Sequence, residues 1–295
     1  KNLSTYNPND PMGTRVYCNV CPPNIFQKRY SELSFPQMKY ILDMLYECDV
    51  FKLGIGGGEP LLHPNIIDIL KYSLDLGFSV LLMTNGSILN QNIIKKMEKV
   101  GLEKIQVSLN TINPKKFELI SGKRRYYKKV IENIKRLSNS SISVQINTVL
   151  MRNNIKEIPE ILDFCLDVGV DVFRVCSLVP INSNSLKLQV DKKELKFIID
   201  FLIEKQREYK NDILIIPPTT KFLFTQYDTT LLSKISKEDE LLCEAGTVLC
   251  TITSNGDVIP CTYFRSSEFI AGNVMRDSFK NIWHNSPVLN MFRAL

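Results

Sequence analysis

The sequence predicts an α/β protein: a partial, TIM-like (β/α)6 barrel followed by a small cysteine-bearing unit built on a β-hairpin and a helix. Three observations predict it. Apolar strands alternate with amphipathic helices and no hairpin signal intervenes, which is the pattern of βαβ units and a parallel sheet. Three helices stop at a glycine (Gly77, Gly101, Gly169) and a strand begins at once. After Tyr209 the pattern changes, and the chain closes on three cysteines around an Asn255-Gly256 turn.

Taken in order, residues 1–13 are polar and irregular. Arg15–Tyr17 is a short β-favouring piece that runs into Cys18 and Cys21, with a break at Pro22-Pro23. Ser34 is placed to cap a helix that has Pro36 in its first turn and Ile41, Leu42, Met44 and Leu45 on one face. The run from Phe51 to Ile55 reads as a buried strand. Asn65–Leu76 is amphipathic and leads to the strand Phe78–Met83; Ile88–Val100 leads to Lys104–Leu109. Pro114 opens a long helical region to about Leu137, followed by the strand Ile142–Leu150. Glu157–Val168 leads to Val170–Cys176, and Lys192 to about Tyr209 is the sixth helix. Six strand–helix units fall short of the eight of a full barrel, so an open partial barrel is expected. Ile213–Ile216 could add one more strand. The division is therefore a barrel over 1–216, a linker over 217–240 and a cysteine unit over 241–295. In that unit, Val248–Thr253 and Val258–Cys261 should pair across Asn255-Gly256, and Asp277 to about His284 should be a short helix.

The chain has 295 residues, 44% hydrophobic and 23% charged, an ordinary globular composition. No apolar run approaches the roughly 18 residues of a membrane span, and the start lacks a signal-peptide core. A cytoplasmic protein without a membrane or nucleic-acid partner is expected. The net charge of +6 is spread over helix faces and decides little. Of eight cysteines, Cys48, Cys165 and Cys176 are isolated in apolar patterns and read as small buried hydrophobes. Cys18 and Cys21, and then Cys243, Cys250 and Cys261, form two clusters that suggest metal or redox chemistry.

Polar residues gather where the strands end. The Phe51–Ile55 strand runs into Gly56-Gly57-Gly58-Glu59-Pro60. Glycines there let backbone approach a ligand, and Glu59 adds a carboxylate at the strand's C-terminal mouth. The next strands end in Thr84-Asn85-Gly86 and Ser108-Leu109-Asn110, and the following one carries Asn147 and Thr148. One polar group per strand end, on one rim, is how a barrel builds a small-molecule site. His63 reads as a turn residue.

These motifs resemble those of the radical S-adenosylmethionine enzymes: a cysteine motif after the first strand, Gly57-Gly58-Glu59-Pro60 after the second, Thr84-Asn85-Gly86 after the third and Val107–Asn110 on the fourth. Cys243, Gly256–Cys261, Gly272-Asn273 and Ile282-Trp283 resemble the SPASM or twitch unit that holds an auxiliary iron–sulfur cluster. The resemblance implies that Gly57, Gly58, Glu59 and Pro60 hold the methionyl amino and carboxylate region of S-adenosylmethionine, with Glu59 facing the ammonium. It implies that Ser108 and Asn110 lie near the ribose or methionyl part, and that Thr84, Asn85 and Asn147 complete the rim. Cys18 and Cys21 would bind a 4Fe-4S cluster; Cys243, Cys250 and Cys261 would bind the auxiliary one. It also implies reductive cleavage of the cofactor to a 5′-deoxyadenosyl radical, hydrogen abstraction from a peptide or protein substrate, and an electron donor such as flavodoxin or ferredoxin.

The N-terminal ligand set is short of the family's C-x3-C-x2-C. If Cys18 and Cys21 are the second and third ligands, Thr14 stands in the first position; if Cys18 is the first, Cys21 comes one residue early. A degenerate site, an altered stretch and a ligand from elsewhere all remain open. So does a homologue that binds a peptide or partner without radical chemistry. A nucleotide- or sugar-modifying enzyme is a further alternative, with Lys123, Arg124, Arg125 and Arg152 available to a phosphate. For the C-terminal cysteines, a zinc ribbon would want paired C-x2-C knuckles, which are absent.

Overall fold

In the computed structural model, the described residues are 32–121, 126–180, 183–218, 244–264 and 266–294. Helix α1 (Phe35–Tyr46) opens the description. The Ser34 N–H donates to Gln37 Oε1 at 2.8 Å, so the capping serine and the third helical residue close the first turn together. Then follow β1 (Lys52–Ile55), a 3-10 turn at Pro60–Leu62, α2 (Ile66–Asp75), β2 (Ser79–Thr84), α3 (Gln91–Lys99) and β3 (Lys104–Ser108). The helical region from Pro114 is divided into α4 (Pro114–Ser121) and α5 (Tyr127–Ser138). Next come β4 (Ser143–Leu150), α6 (Ile158–Val168), β5 (Val172–Ser177), the short α7 (Ser183–Leu186), α8 (Lys192–Glu208) and β6 (Leu214–Ile216).

The six strands form one parallel sheet in the order β1-β2-β3-β4-β5-β6. The sheet is open, as expected of a partial barrel. Its membership differs in one respect: the described six include Leu214–Ile216 as an edge strand, while Arg15–Tyr17 lies outside the described residues. The three helix-stopping glycines have φ of 90°, 83° and 75°, where a side chain would be strained. At Gly169 the stop is complete, because the Val170 N–H returns to the Cys165 carbonyl at 2.9 Å.

Sequential parallel strands joined by right-handed crossovers place all the connecting helices on one face. Register shows which residues they cover. One row across the sheet is Ile55, Leu82, Ile105 and Val144; the next is Thr84, Val107, Ile146, Phe173 and Ile215. All but half-buried Ile55 are nearly inaccessible, and each full-sized apolar side chain among them stabilises the fold by about 1.5–3 kcal/mol. The opposite face carries Gln106, Ser108, Gln145, Asn147 and Arg174 and keeps contact with solvent. This asymmetry positions the site.

After the second gap, β7 (Thr251–Ile252) and β8 (Asp257–Ile259) pair antiparallel across Asn255-Gly256, as predicted though shorter. A third strand, β9 (Gly272–Asn273), pairs with β8. Helix α9 (Phe279–Asn285) matches the expected short helix, and α10 (Pro287–Arg293) follows it. Gly272 is required by packing, since a Cβ there would lie 2.8 Å from the Ile282 side chain. Asn273 donates to the Asn255 carbonyl and to Asp257, locking the turn to β9.

The C-terminal unit shares its core with the barrel. Val258, Val274, Phe279, Ile282 and Leu289 belong to the same buried cluster as Met44, Leu45 and Leu70. The Leu33 N–H reaches the Ser254 carbonyl at 3.2 Å, and the Phe279 N–H meets the Met44 sulfur. A chain ending at Pro218 is therefore expected to expose an apolar seam along α1 and to bind more anilinonaphthalene sulfonate than the full chain; equal dye fluorescence from both would contradict the shared core.

Candidate active site

Thr84 ends β2 on the helix-covered face, in a row otherwise apolar, and is 3% exposed. A hydroxyl there needs partners. It donates to Glu59 Oε1 at 2.7 Å and accepts from the Gly86 N–H at 3.1 Å. Glu59, itself buried, accepts in addition from the Asn85 N–H on Oε2 at 2.8 Å and from the Leu61 N–H on Oε1 at 3.2 Å. The carboxylate thus fastens the end of β1 to the end of β2. Burial raises its pKa above the ordinary glutamate value, and the bonds from Thr84, Asn85 and Leu61 work against that rise. Among the described residues three of about four acceptor positions are filled, which leaves one on Oε2 for a cation.

The glycines before Glu59 divide into two kinds. A Cβ on Gly54 or Gly56 would lie 3.1 or 2.9 Å from Met83 Cε, so these two make room for a neighbouring side chain. Gly57 has φ of 134°, a backbone reason for glycine. Gly58 has neither reason: its φ is ordinary and nothing among the described residues lies within 4 Å of a Cβ placed there. The described residues themselves do not need glycine at 58. Space kept clear beside an exposed backbone fits close approach by a ligand.

The remaining rim residues also separate. The Asn110 side chain accepts from the Val149 N–H at 2.8 Å and its carbonyl takes a bond from Asn154 at 2.8 Å, so it closes the β3–β4 mouth. Fully buried Asn154 donates also to the Val149 carbonyl and accepts from the Met151 N–H. Asn85 turns its side chain onto the Ser87 N–H, and Pro60 is buried in the 3-10 turn. Ser108 and Asn147 are paired in register on the open face, Ser108 exposed and Asn147 half-buried. Asn147 accepts from the Cys176 thiol at 3.1 Å. Cys176, expected in the core, therefore belongs to the open face, with Arg174 beside it; Cys165 is fully buried as expected. His63 bonds Leu33 and Asn65 across a turn, a structural role.

Residues not singled out from sequence complete the frame. Asn133 on α5, fully buried, donates to the Gly86 and Leu89 carbonyls at 2.9 and 2.8 Å, holding the loop after β2. Buried Glu157 takes bonds from Thr111 and Lys116 beneath the loop after β3. Gln145 donates to Gln106 at 2.7 Å across the open face.

Thr14, Cys18, Cys21 and Cys243 lie outside the described residues, as do Lys123, Arg124 and Arg125. Cys250 is half-buried against the main core, and burial pushes its thiol up to about 12. Cys261 is packed in a separate small cluster with Ala245 and Phe292, where Phe264, Phe269 and Phe292 meet edge-on. Among the described residues no group of three metal-ligating side chains comes together. Of the auxiliary set, the described residues supply Cys250, packed against the main core, and Cys261, packed among phenylalanines.

The radical SAM superfamily model matches residues 13–165, more than half of the chain. The chain belongs to the radical SAM superfamily. An iron–sulfur cluster-binding domain of the SPASM type matches residues 243–295, and radical SAM proteins with this domain use S-adenosylmethionine, a 4Fe-4S cluster and an auxiliary cluster. Among relatives, the AdoMet-dependent heme synthase of Methanosarcina barkeri is 26% identical over 269 residues, covering 89% of this chain and 76% of that protein. The mycofactocin maturase MftC of Mycolicibacterium smegmatis is 25% identical over 281 residues, 94% of this chain and 69% of that one. Among solved structures, SuiB of Streptococcus suis bound to S-adenosylmethionine superposes with a TM-score of 0.76 at 21% identity, over 95% of this chain and 63% of SuiB. SuiB bound to its precursor peptide SuiA gives 0.76 at 21% over 96% and 65%. This radical SAM chain thus spans just under two thirds of SuiB. No helix among its described residues is long and apolar enough to cross a membrane.

Proposed function

We propose that this radical SAM protein modifies a peptide or protein side chain by hydrogen abstraction. Bound S-adenosylmethionine, opened by a reduced iron–sulfur cluster, supplies a 5′-deoxyadenosyl radical for that step. The observation that carries the reading is the clear backbone edge at Gly58 next to the open acceptor on Glu59 Oε2. An amino acid with a positive ammonium is what such an edge accepts. Gly57 and Gly58 would present backbone to the methionyl end, Glu59 would face its ammonium, and Ser108 and Asn147 would contact the ribose side. Thr84, Asn85 and Asn110 would act through the frame, fixing Glu59 and the strand mouths, and Pro60 would set the turn. The open sheet leaves a solvent-facing surface long enough for an extended chain, and a peptide-bound neighbour and a maturase relative support a peptide as substrate. Flavodoxin or ferredoxin would supply electrons, and Cys18, Cys21, Cys243, Cys250 and Cys261 would hold the clusters.

Anaerobic reconstitution with iron and sulfide, followed by dithionite and S-adenosylmethionine, is expected to release 5′-deoxyadenosine, read by liquid chromatography and mass spectrometry. Cofactor binding without release would contradict the reading and favour a non-catalytic homologue.

A further inference from the structure

Among the described residues, the open face of the sheet holds one charge toward the C-terminal half of its strands, with no carboxylate to balance it. In register across β3, β4, β5 and β6 lie Ser108, Asn147, Arg174 and Ile216. The other charged residues pointing to this face, Lys52 and Lys104, sit at the opposite, N-terminal ends of their strands. Arg174 is exposed, its guanidinium lies against the Cys176 sulfur, and no carboxylate pairs with it among the described residues. Strands of a parallel sheet are normally apolar on both faces. Phe173 and Val175 on either side of Arg174 point to the covered face, so the guanidinium stands in solvent on the open one, available to an anion.

Its place argues against the cofactor's own carboxylate. The methionyl ammonium and carboxylate hang from a single carbon, about 4 Å apart at most. If the ammonium rests at Glu59, the carboxylate lies by β1. Arg174 is three strands beyond β2, to whose end Glu59 Oε2 is bonded through the Asn85 N–H, about 14 Å along the sheet. Ser108 and Asn147 stand between. The cation therefore belongs to the half of the face left for the substrate.

We propose that Arg174 is a specificity residue that receives a carboxylate side chain, glutamate or aspartate, of the substrate peptide; this rests on the peptide reading above. Arginine suits the task, because its planar fork binds a carboxylate through two parallel hydrogen bonds. Cys176, itself bonded to Asn147, holds the guanidinium's near side, leaving the outer edge for the ligand.

The test uses the full reconstituted chain with S-adenosylmethionine bound and three pools of blocked, fluorescein-labelled octapeptides. Each pool is randomised except for a central Glu, Gln or Lys, and binding is read by anisotropy. The native protein is expected to prefer the Glu pool over the Gln pool roughly two- to fivefold, the range for a solvent-accessible ion pair. Arg174→Gln should abolish that preference, Arg174→Lys should keep its sign, and Arg174→Glu should invert it toward the Lys pool. Because Arg174 is exposed, these variants retain the fold, and unchanged affinity for S-adenosylmethionine confirms it. Peptide binding with a charge preference indifferent to all three variants would overturn this assignment while leaving the peptide reading in place. Failure of every pool to bind would overturn both.

Discussion

Replacing Gly58 by alanine is expected to weaken S-adenosylmethionine binding roughly tenfold or more, about 1.4 kcal/mol, while leaving stability within about 0.5 kcal/mol of the native protein. The two halves of this expectation have separate physical origins. Nothing among the described residues lies within 4 Å of the added methyl group and the backbone is unstrained, so the folded state loses no packing there. The alanine can even stabilise slightly by restricting the unfolded chain. The methyl group does, however, fill the space through which a ligand reaches the backbone. Gly56→Ala supplies the contrast, since its Cβ would press on Met83 Cε at 2.9 Å and stability should fall. Isothermal titration against S-adenosylmethionine and urea denaturation read the two quantities. Native-like affinity in Gly58→Ala would remove this glycine from the binding surface.

The second large effect is expected at Glu59. A glutamine there keeps an oxygen for Thr84 and Leu61 but turns an NH2 group toward the Asn85 N–H, two donors face to face. The lost bond in a buried site should cost about 1–3 kcal/mol in urea denaturation. The pH dependence is more specific. Burial raises the Glu59 pKa, so the native protein holds this proton more tightly than the unfolded chain does. Its contribution to stability is then present at low pH and is lost as pH rises from the unfolded pKa through the folded one. A bound ammonium favours the carboxylate and reverses this preference. Affinity for S-adenosylmethionine should accordingly fall as pH drops through the raised pKa of the free protein, and Glu59→Gln should show a flatter profile. Parallel profiles for the two proteins would mean that Glu59 serves the frame alone.

The barrel was legible because three of its units carry their own punctuation and set the rhythm for the rest. Gly77, Gly101 and Gly169 mark helix ends by a backbone conformation that other residues rarely adopt, and the strands between them are short and apolar. The division of labour along the rim was not legible. Thr84, Asn85 and Asn110 look like ligand groups in a linear reading, yet the first two bond Glu59 across 25 and 26 residues and the third bonds Val149 across 39. No local pattern reports such pairings. Arg174 could have been noticed: Val172-Phe173-Arg174-Val175 sets a charge inside an apolar strand, and in a parallel sheet that marks a face without a helical cover. The division of the Pro114–Leu137 region had its mark in Gly122, directly after the last residue of α4 and passed over because both halves are amphipathic, whereas the two-residue strand β9 had none, because two residues carry no period.

The seam between α1 and the C-terminal unit sets terms for recombination among relatives. Met44 and Leu33 on the barrel side meet Phe279 and Ser254 on the other, so the two motif-bearing regions are partners in one interior rather than interchangeable modules. A chimera that imports a foreign C-terminal unit has to import its α1 surface as well, and one that grafts only the cysteine-bearing strands has to preserve the residues behind them. Divergence in this chain is thereby channelled: the open face around Arg174 can change with each new substrate, whereas the helix at the start and the helices at the end must drift together.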